Sequence, residues 1–249
     1  MSPLAVPPAL PDLAACRHIV VLTGANANAR LPPARWVGEA PQALWDVFGP
    51  QRLALDQTPP GLLHQLLARF EARLRADQQF LLVTGFMAGA HQRAGSQRVA
   101  ELHGNLRSTR CSRRACHLPP FGDDRPYATG APPCPACGAP LRPDVVLGGE
   151  PVVVDAQWQA MRALRECDLF IAVHDDTDAA EFDGATGAPA PVAAAALRAG
   201  RAASGAAAAC ADEVALAEPL ATCLRTAQAA GARTLCVTTL QLAELLGLD

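Results

Sequence analysis

Four cysteines carry the clearest chemistry in this 249-residue chain. Cys111 and Cys116 have four residues between them, Cys134 and Cys137 have two, and 17 residues separate the pairs. Thiolates are soft donors, and two short pairs can each clamp one edge of a tetrahedral zinc ion. In Cys134-Pro-Ala-Cys-Gly138 the glycine stands where the chain must turn. The competing reading is four unrelated buried thiols. Four protein ligands leave no open coordination position, so the expected zinc is structural, which argues against a zinc hydrolase. It would hold together a Pro- and Gly-rich stretch with little core of its own. Just upstream, His103 stands in Glu101-Leu-His-Gly104. A histidine before a glycine turn can be structural. Cys16, Cys167, Cys210, Cys223 and Cys236 have no such spacing and read as small core residues.

Regular elements must position these groups. His18–Thr23 is a short apolar run ending at Gly24, which predicts a buried parallel strand leading into a turn. Leu62, Leu63, Leu66, Leu67, Phe70 and Leu74 predict an amphipathic helix over 61–76. Phe80–Val83 predicts a second strand, Leu169–Val173 a third and Thr234–Val237 a fourth. A helix over 155–166 places Trp158, Met161 and Leu164 on one face, and 213–230 also suits a helix. Alternating strands and helices imply an α/β fold: a Rossmann-like parallel sheet with an inserted smaller zinc-ribbon lobe. The expected organisation is a flexible Pro- and Ala-rich tail over 1–15, followed by the first part of the Rossmann-like lobe over 16–105, with a small helical segment. The zinc lobe spans 106–144, and the second part of the large lobe 145–249. Within the latter, 179–212 is dominated by Ala and Gly and reads as a low-complexity surface insert.

Composition narrows the function classes. Half the residues are hydrophobic, enough for a sizeable core. The net charge of −3 argues against a dedicated nucleic-acid surface. There is no lysine, and every basic side chain other than histidine is arginine, a bias that fits a GC-rich genome. No apolar run approaches the ~20 residues needed to span a bilayer, so no membrane partner is expected. The start, Met-Ser-Pro-Leu-Ala-Val-Pro-Pro, lacks a basic region and a continuous apolar one, which predicts a cytoplasmic protein. Nine cysteines, an odd number, read as metal ligands and buried thiols rather than disulfides.

The order of motifs resembles the sirtuins, the NAD-dependent protein deacylases. The matching residues are His91-Gln-Arg-Ala-Gly95, Glu101-Leu-His-Gly104, the two cysteine pairs and Leu141-Arg-Pro-Asp-Val-Val146. The resemblance covers most of 18–178 and again about 218–239. It implies NAD and an acylated protein substrate meeting between the two lobes, with His103 as the general base. It further implies cofactor contacts at Gly24, Ala25, Asn26 and Arg35, with structural zinc on Cys111, Cys116, Cys134 and Cys137.

Several positions depart from the family pattern. The family's G-A-G-x-S is Gly24-Ala-Asn-Ala-Asn28, and its I-P-D-F-R is similar to Leu31-Pro-Pro-Ala-Arg35. Its T-Q-N-V/I-D-G is Thr84-Gly-Phe-Met-Ala-Gly89, so three polar side chains that hold nicotinamide and ribose are lost. Val173 leads into His174-Asp-Asp176 where G-T-S is expected, and Thr238 or Thr239 stands for a C-terminal Asn. Gly148 replaces the phenylalanine of V-V-x-F-G-E that lines the acyl-lysine tunnel. Three functions follow as alternatives. They are a protein deacylase with weak or lost activity, a non-catalytic zinc-stabilised scaffold that binds a protein partner, and altered NAD chemistry as a glycohydrolase or ADP-ribosyltransferase.

Overall fold

The computed structural model describes residues 12–24, 31–173 and 220–248. Ala25, Asn26, His174–Asp176, Cys210 and the insert at 179–212 lie outside the described residues, as does most of the expected tail.

Five parallel strands form the large sheet: β1 (His18–Thr23), β2 (Gln79–Thr84), β3 (Val99–Glu101), β7 (Leu169–Val173) and β8 (Arg233–Val237). Their order is β3-β2-β1-β7-β8. Such a sheet is covered on both faces, which is why its strands read as continuous apolar runs. Ile19 and Val21 of β1 point into one core layer; Val20 and Leu22 point into the other. The first layer is closed by α3 (Leu62–Ala72) and α7 (Thr239–Leu246), the second by α5 (Val154–Glu166) and α6 (Leu220–Ala229). The strand order reverses direction between β1 and β7, and the C-terminal ends of strands at such a switch point are where open α/β sheets bind ligands.

A second, antiparallel sheet contains β4 (Gly104–Cys111), β5 (Phe121–Gly122) and β6 (Leu141–Val145), in the order β5-β4-β6. Cys111 ends β4 and the other three cysteines lie in the loops between its strands, so an inserted zinc-ribbon-like lobe joins the Rossmann-like sheet as expected. Two helices, α1 (Trp36–Glu39) and α2 (Pro41–Gln57), lie between β1 and α3. Helix α2 is fastened to the small lobe: Trp45 Nε1 donates to the Leu141 carbonyl at 3.0 Å, and the buried Arg52 donates to the carbonyls of Arg125 and Ser108 and to Thr109 Oγ1. A short α4 (Ala90–Ala94) follows β2.

Three expectations need correction. Helix α5 packs through Ala156, Ala160 and Leu164, whereas Trp158 is 69% exposed. Small alanines let α5 lie close on the sheet, and that rotation turns Trp158 outward. Helix α3 ends at Ala72, short of 76, although Leu74 beyond it still packs on the core. Cys167 and Cys223 are buried, but Cys16 and Cys236 are only partly so. Thr238 is an N-cap: its hydroxyl accepts from Gln241 N and the Gln241 side chain returns to Thr238 N. No helix among the described residues is long and apolar enough to cross a membrane.

Candidate active site and metal centre

The four cysteine sulfurs converge. Cys111 Sγ lies 3.5 Å from Cys137 Sγ, Cys116 Sγ lies 3.8 Å from Cys134 Sγ, and all four are within 4.8 Å of one another. A tetrahedral zinc with Zn–S bonds of about 2.3 Å needs sulfurs about 3.8 Å apart, so the donor set fits the ion. The antiparallel pairing of β4 and β6 sets Cys111 opposite Leu141, which carries the second cysteine pair to the first. Hydrogen bonds from Gly138 N to Cys134 O and from Cys134 N to Ala139 O close the second turn. Burial, then hydrogen bonding with the neighbouring thiols, raises the Cys111 thiol, against the backbone N–H of Arg113, which lowers it.

His103 follows β3 and immediately precedes β4, and it is buried. Its Nδ1 lies 3.2 Å from the Gly85 carbonyl. A carbonyl only accepts, so Nδ1 carries the proton and Nε2 is the basic nitrogen. Burial depresses the imidazole below its ordinary pKa, with the Gly85 hydrogen bond acting the other way. The neutral, base-competent form therefore prevails at neutral pH.

The turn after β2 explains the missing polar groups. A Cβ on Gly85 would overlap the Gly24 carbonyl oxygen and lie 3.4 Å from His103 Nδ1. Gly24 itself has φ +69°, and a Cβ there would come within 3.1 Å of the Phe86 ring. The ends of β1 and β2 are thus pressed together, and Phe86 is buried in the α3-side core. Ala88, third of the substituted positions, is partly buried.

Arg35 opens α1, is exposed and pairs with Glu39 at 3.5 Å. Of the expected cofactor contacts, only Gly24 and Arg35 are described residues. The segment leading to Arg35 is tied down: Gly148 N donates to Pro32 O at 2.8 Å, and Ala34 N donates to Gly148 O at 3.0 Å. A Cβ at 148 would meet the Leu31 carbonyl at 3.1 Å, so glycine permits this close bridge. The loop carrying Gly148 is held by a bidentate ion pair from Arg142 to Glu150, at 2.9 and 2.7 Å, and by Leu147 N donating to Glu150 at 3.0 Å. Burial would raise the Glu150 carboxyl; Arg142 outweighs it and the net shift is downward.

Sequence reasoning assigned no role to Thr23, Thr84, His64 or His91, all buried beside this turn. Their signal was a set of polar residues at strand ends and on the apolar faces of helices. Buried polar groups need partners, so that placement itself points to a network.

A family model described as the Sir2 family matches residues 34–177. A Geobacillus kaustophilus protein named NAD-dependent protein deacetylase 1 is 38% identical over 186 residues, covering 65% of this chain and 72% of that protein. A Caldanaerobacter subterraneus protein named NAD-dependent protein deacylase 1 is 34% identical over 133 residues. That match spans 53% of this chain and 53% of the Caldanaerobacter protein, so this chain covers about half the length of that relative. Among solved structures, a Sir2 homologue in complex with NAD superposes with a TM-score of 0.64 at 21% identity, over 94% of this chain and 90% of the other. A mutant of a Sir2 homologue in complex with ADP-ribose gives a TM-score of 0.66 at 20% identity, covering 94% and 92%. The matched segment exceeds half the chain and the architecture agrees with it, so this protein belongs to the Sir2 family, the sirtuins.

Proposed function

We propose that this chain comes from the NAD-dependent protein-lysine deacylase lineage and has weak or lost deacylase activity. The observation that carries the reading is the turn Thr84–Met87. Position 85 has no room for a side chain, and the Phe86 side chain is committed to the core. An amide pair that would fix nicotinamide and ribose is thus replaced by a packed apolar turn. Positioning supplies much of a rate enhancement, so its loss is costly even where a base survives.

In this reading His103 keeps its part. Its Nδ1–H bond to Gly85 fixes the ring and leaves Nε2 as the nitrogen able to take up a proton. Gly24 and Arg35, with Ala25 and Asn26, form what is left of the cofactor side. The residues at 85 and 86 do not fit the group the relatives' names imply, so no step is assigned to NAD. Zinc on Cys111, Cys116, Cys134 and Cys137 would be structural. The Gly148 bridge favours a second reading, a zinc-stabilised scaffold for a protein partner, because the acyl-tunnel side is tied to Pro32–Ala34 by backbone bonds.

Thermal melts with NAD, ADP-ribose and an acetyl-lysine peptide test the proposal, together with an assay of NAD-dependent deacetylation of that peptide. A ligand stabilises in proportion to ln(1 + [L]/Kd), so weak binding leaves the melting temperature within about 1 °C. Micromolar NAD binding with peptide turnover, both lost in His103→Ala, would overturn it. Nicotinamide release without peptide would replace it with altered NAD chemistry.

A further inference from the structure

We infer that His91 is a positioning residue for His103, acting through the paired hydroxyls of Thr23 and Thr84 and the turn Thr84–Phe86; the inference rests on reading His103 as a base. The parallel register sets Thr23 beside Thr84 at the ends of β1 and β2. The Thr23 hydroxyl donates to Thr84 Oγ1 at 2.9 Å, and Phe86 N–H donates to the same oxygen at 3.1 Å. Thr23 Oγ1 lies 3.0 Å from His91 Nε2. With its hydrogen committed to Thr84, the Thr23 oxygen is an acceptor, so His91 Nε2–H donates to it.

Backbone bonds complete the frame. Gly85 N–H donates to Thr23 O and Leu102 N–H to Thr84 O, each at 3.0 Å. The turn is therefore gripped on one side by His91, Thr23 and Thr84, while on the other the Gly85 carbonyl faces His103 Nδ1 at 3.2 Å. Thr23, Thr84, His91 and His103 are all at most 2% exposed, so water does not readily substitute for a lost partner. The His91 ring is wedged 4.5 Å from the His64 ring on α3 and 6.3 Å from Phe86.

The electrical surroundings leave His91 neutral. Burial is the main cause and His64 the second. Arg93, on the same helix α4, acts on His64 in the same sense. Among described residues no carboxylate contributes to the His91 shift. His91 thus works as a fixed hydrogen-bond donor and not as a charge.

Loss of this donor frees the Thr23 hydroxyl, relaxes the turn and moves the Gly85 carbonyl. His103 then loses the acceptor that selects its Nδ1–H tautomer, and the Nε2–H form, which imidazole favours in water, appears. Long-range proton–nitrogen spectra of the full chain, labelled with 15N-histidine at pH 7.5, read this directly. The chain has six histidines, and comparison with His103→Gln identifies the signals of His103. His103 should be Nδ1–H in the native chain and a tautomer mixture in His91→Leu and in Thr23→Val. His91→Gln, which can still reach Thr23, should restore the native pattern. Thr23→Val is nearly isosteric and carries the test if His91→Leu does not fold. Pure Nδ1–H in every variant, with only the melting temperature lowered, would overturn the inference and leave His91 a packing residue. No cofactor or substrate enters the measurement, so it is decided separately from whether His103 acts as a base.

Discussion

At the level of single residues, the departures from the family pattern form one packed arrangement. Gly85 lacks a side chain because the Gly24 carbonyl lies against it, and Phe86 is apolar because its ring fills the adjacent core. Restoring a polar side chain at 85 should therefore not restore function. Gly85→Gln must push β1 and β2 apart, at a cost of about 1–3 kcal/mol, as for other over-packed interiors. Urea unfolding of the variant should show that loss, with no gain in NAD response. An equally stable Gly85→Gln that binds NAD would mean that the missing amide, and not the closed turn, is what this site lacks. The substitutions themselves were readable in the sequence. Their mutual contact was not, because nothing in Gly85-Phe86 shows that Gly24, 61 residues away, presses on it.

Among elements, the small lobe depends most on something other than apolar burial. Its sheet has strands of eight, two and five residues, and among the described residues its buried cluster is only Trp45, Cys111, Cys134 and Leu141 with part-buried neighbours that include the other two cysteines. The purified protein should hold about one zinc per chain by metal analysis. Removing it with a chelator, or substituting Cys134→Ser, should strip hydrogen-exchange protection from 104–145 before β1 and β7 lose theirs. Absence of zinc, or equal loss everywhere, would show that Trp45 and Arg52 hold the lobe to α2 without the metal. The cysteine spacing made the metal centre legible because ligand geometry is local. The antiparallel strands were not legible: β4, Gly-Asn-Leu-Arg-Ser-Thr-Arg-Cys, has one strong apolar residue before its cysteine. Helix α5 failed differently, since Trp158 has the period of a core residue, while the sheet accepts only the smaller Ala156 and Ala160 at that distance.

In the whole molecule, the parallel sheet was legible because parallel strands buried on both sides have a plain apolar signature, whereas the strand order and the three-residue β3 were not. Hidden from the sequence was the polar cost carried between β1, β2 and α3. His64 and His91 are buried there, and desolvation pulls them down to about 4 and about 3. The Gly61 backbone acts against the shift at His64, whereas His64 itself adds to that at His91. Unfolded histidine titrates near pH 6.5, so below that the unfolded chain takes up protons that the folded one refuses. Stability is therefore unaffected by this pair above about pH 6.5 and falls as the pH drops toward 4. The limiting slope is about 2.7 kcal/mol per pH unit for two protons. Glu101 and Asp144, raised chiefly by burial, work in the opposite sense in the carboxylate range. Comparing variants separates the two contributions. In urea midpoints between pH 7 and 5, His64→Leu should lose part of the native chain's decline and His64→Leu with His91→Gln a larger part, with His103, also depressed by burial, carrying a remainder. If the double variant declined as steeply as the native chain, the histidine pair would not be what makes this fold sensitive to acid.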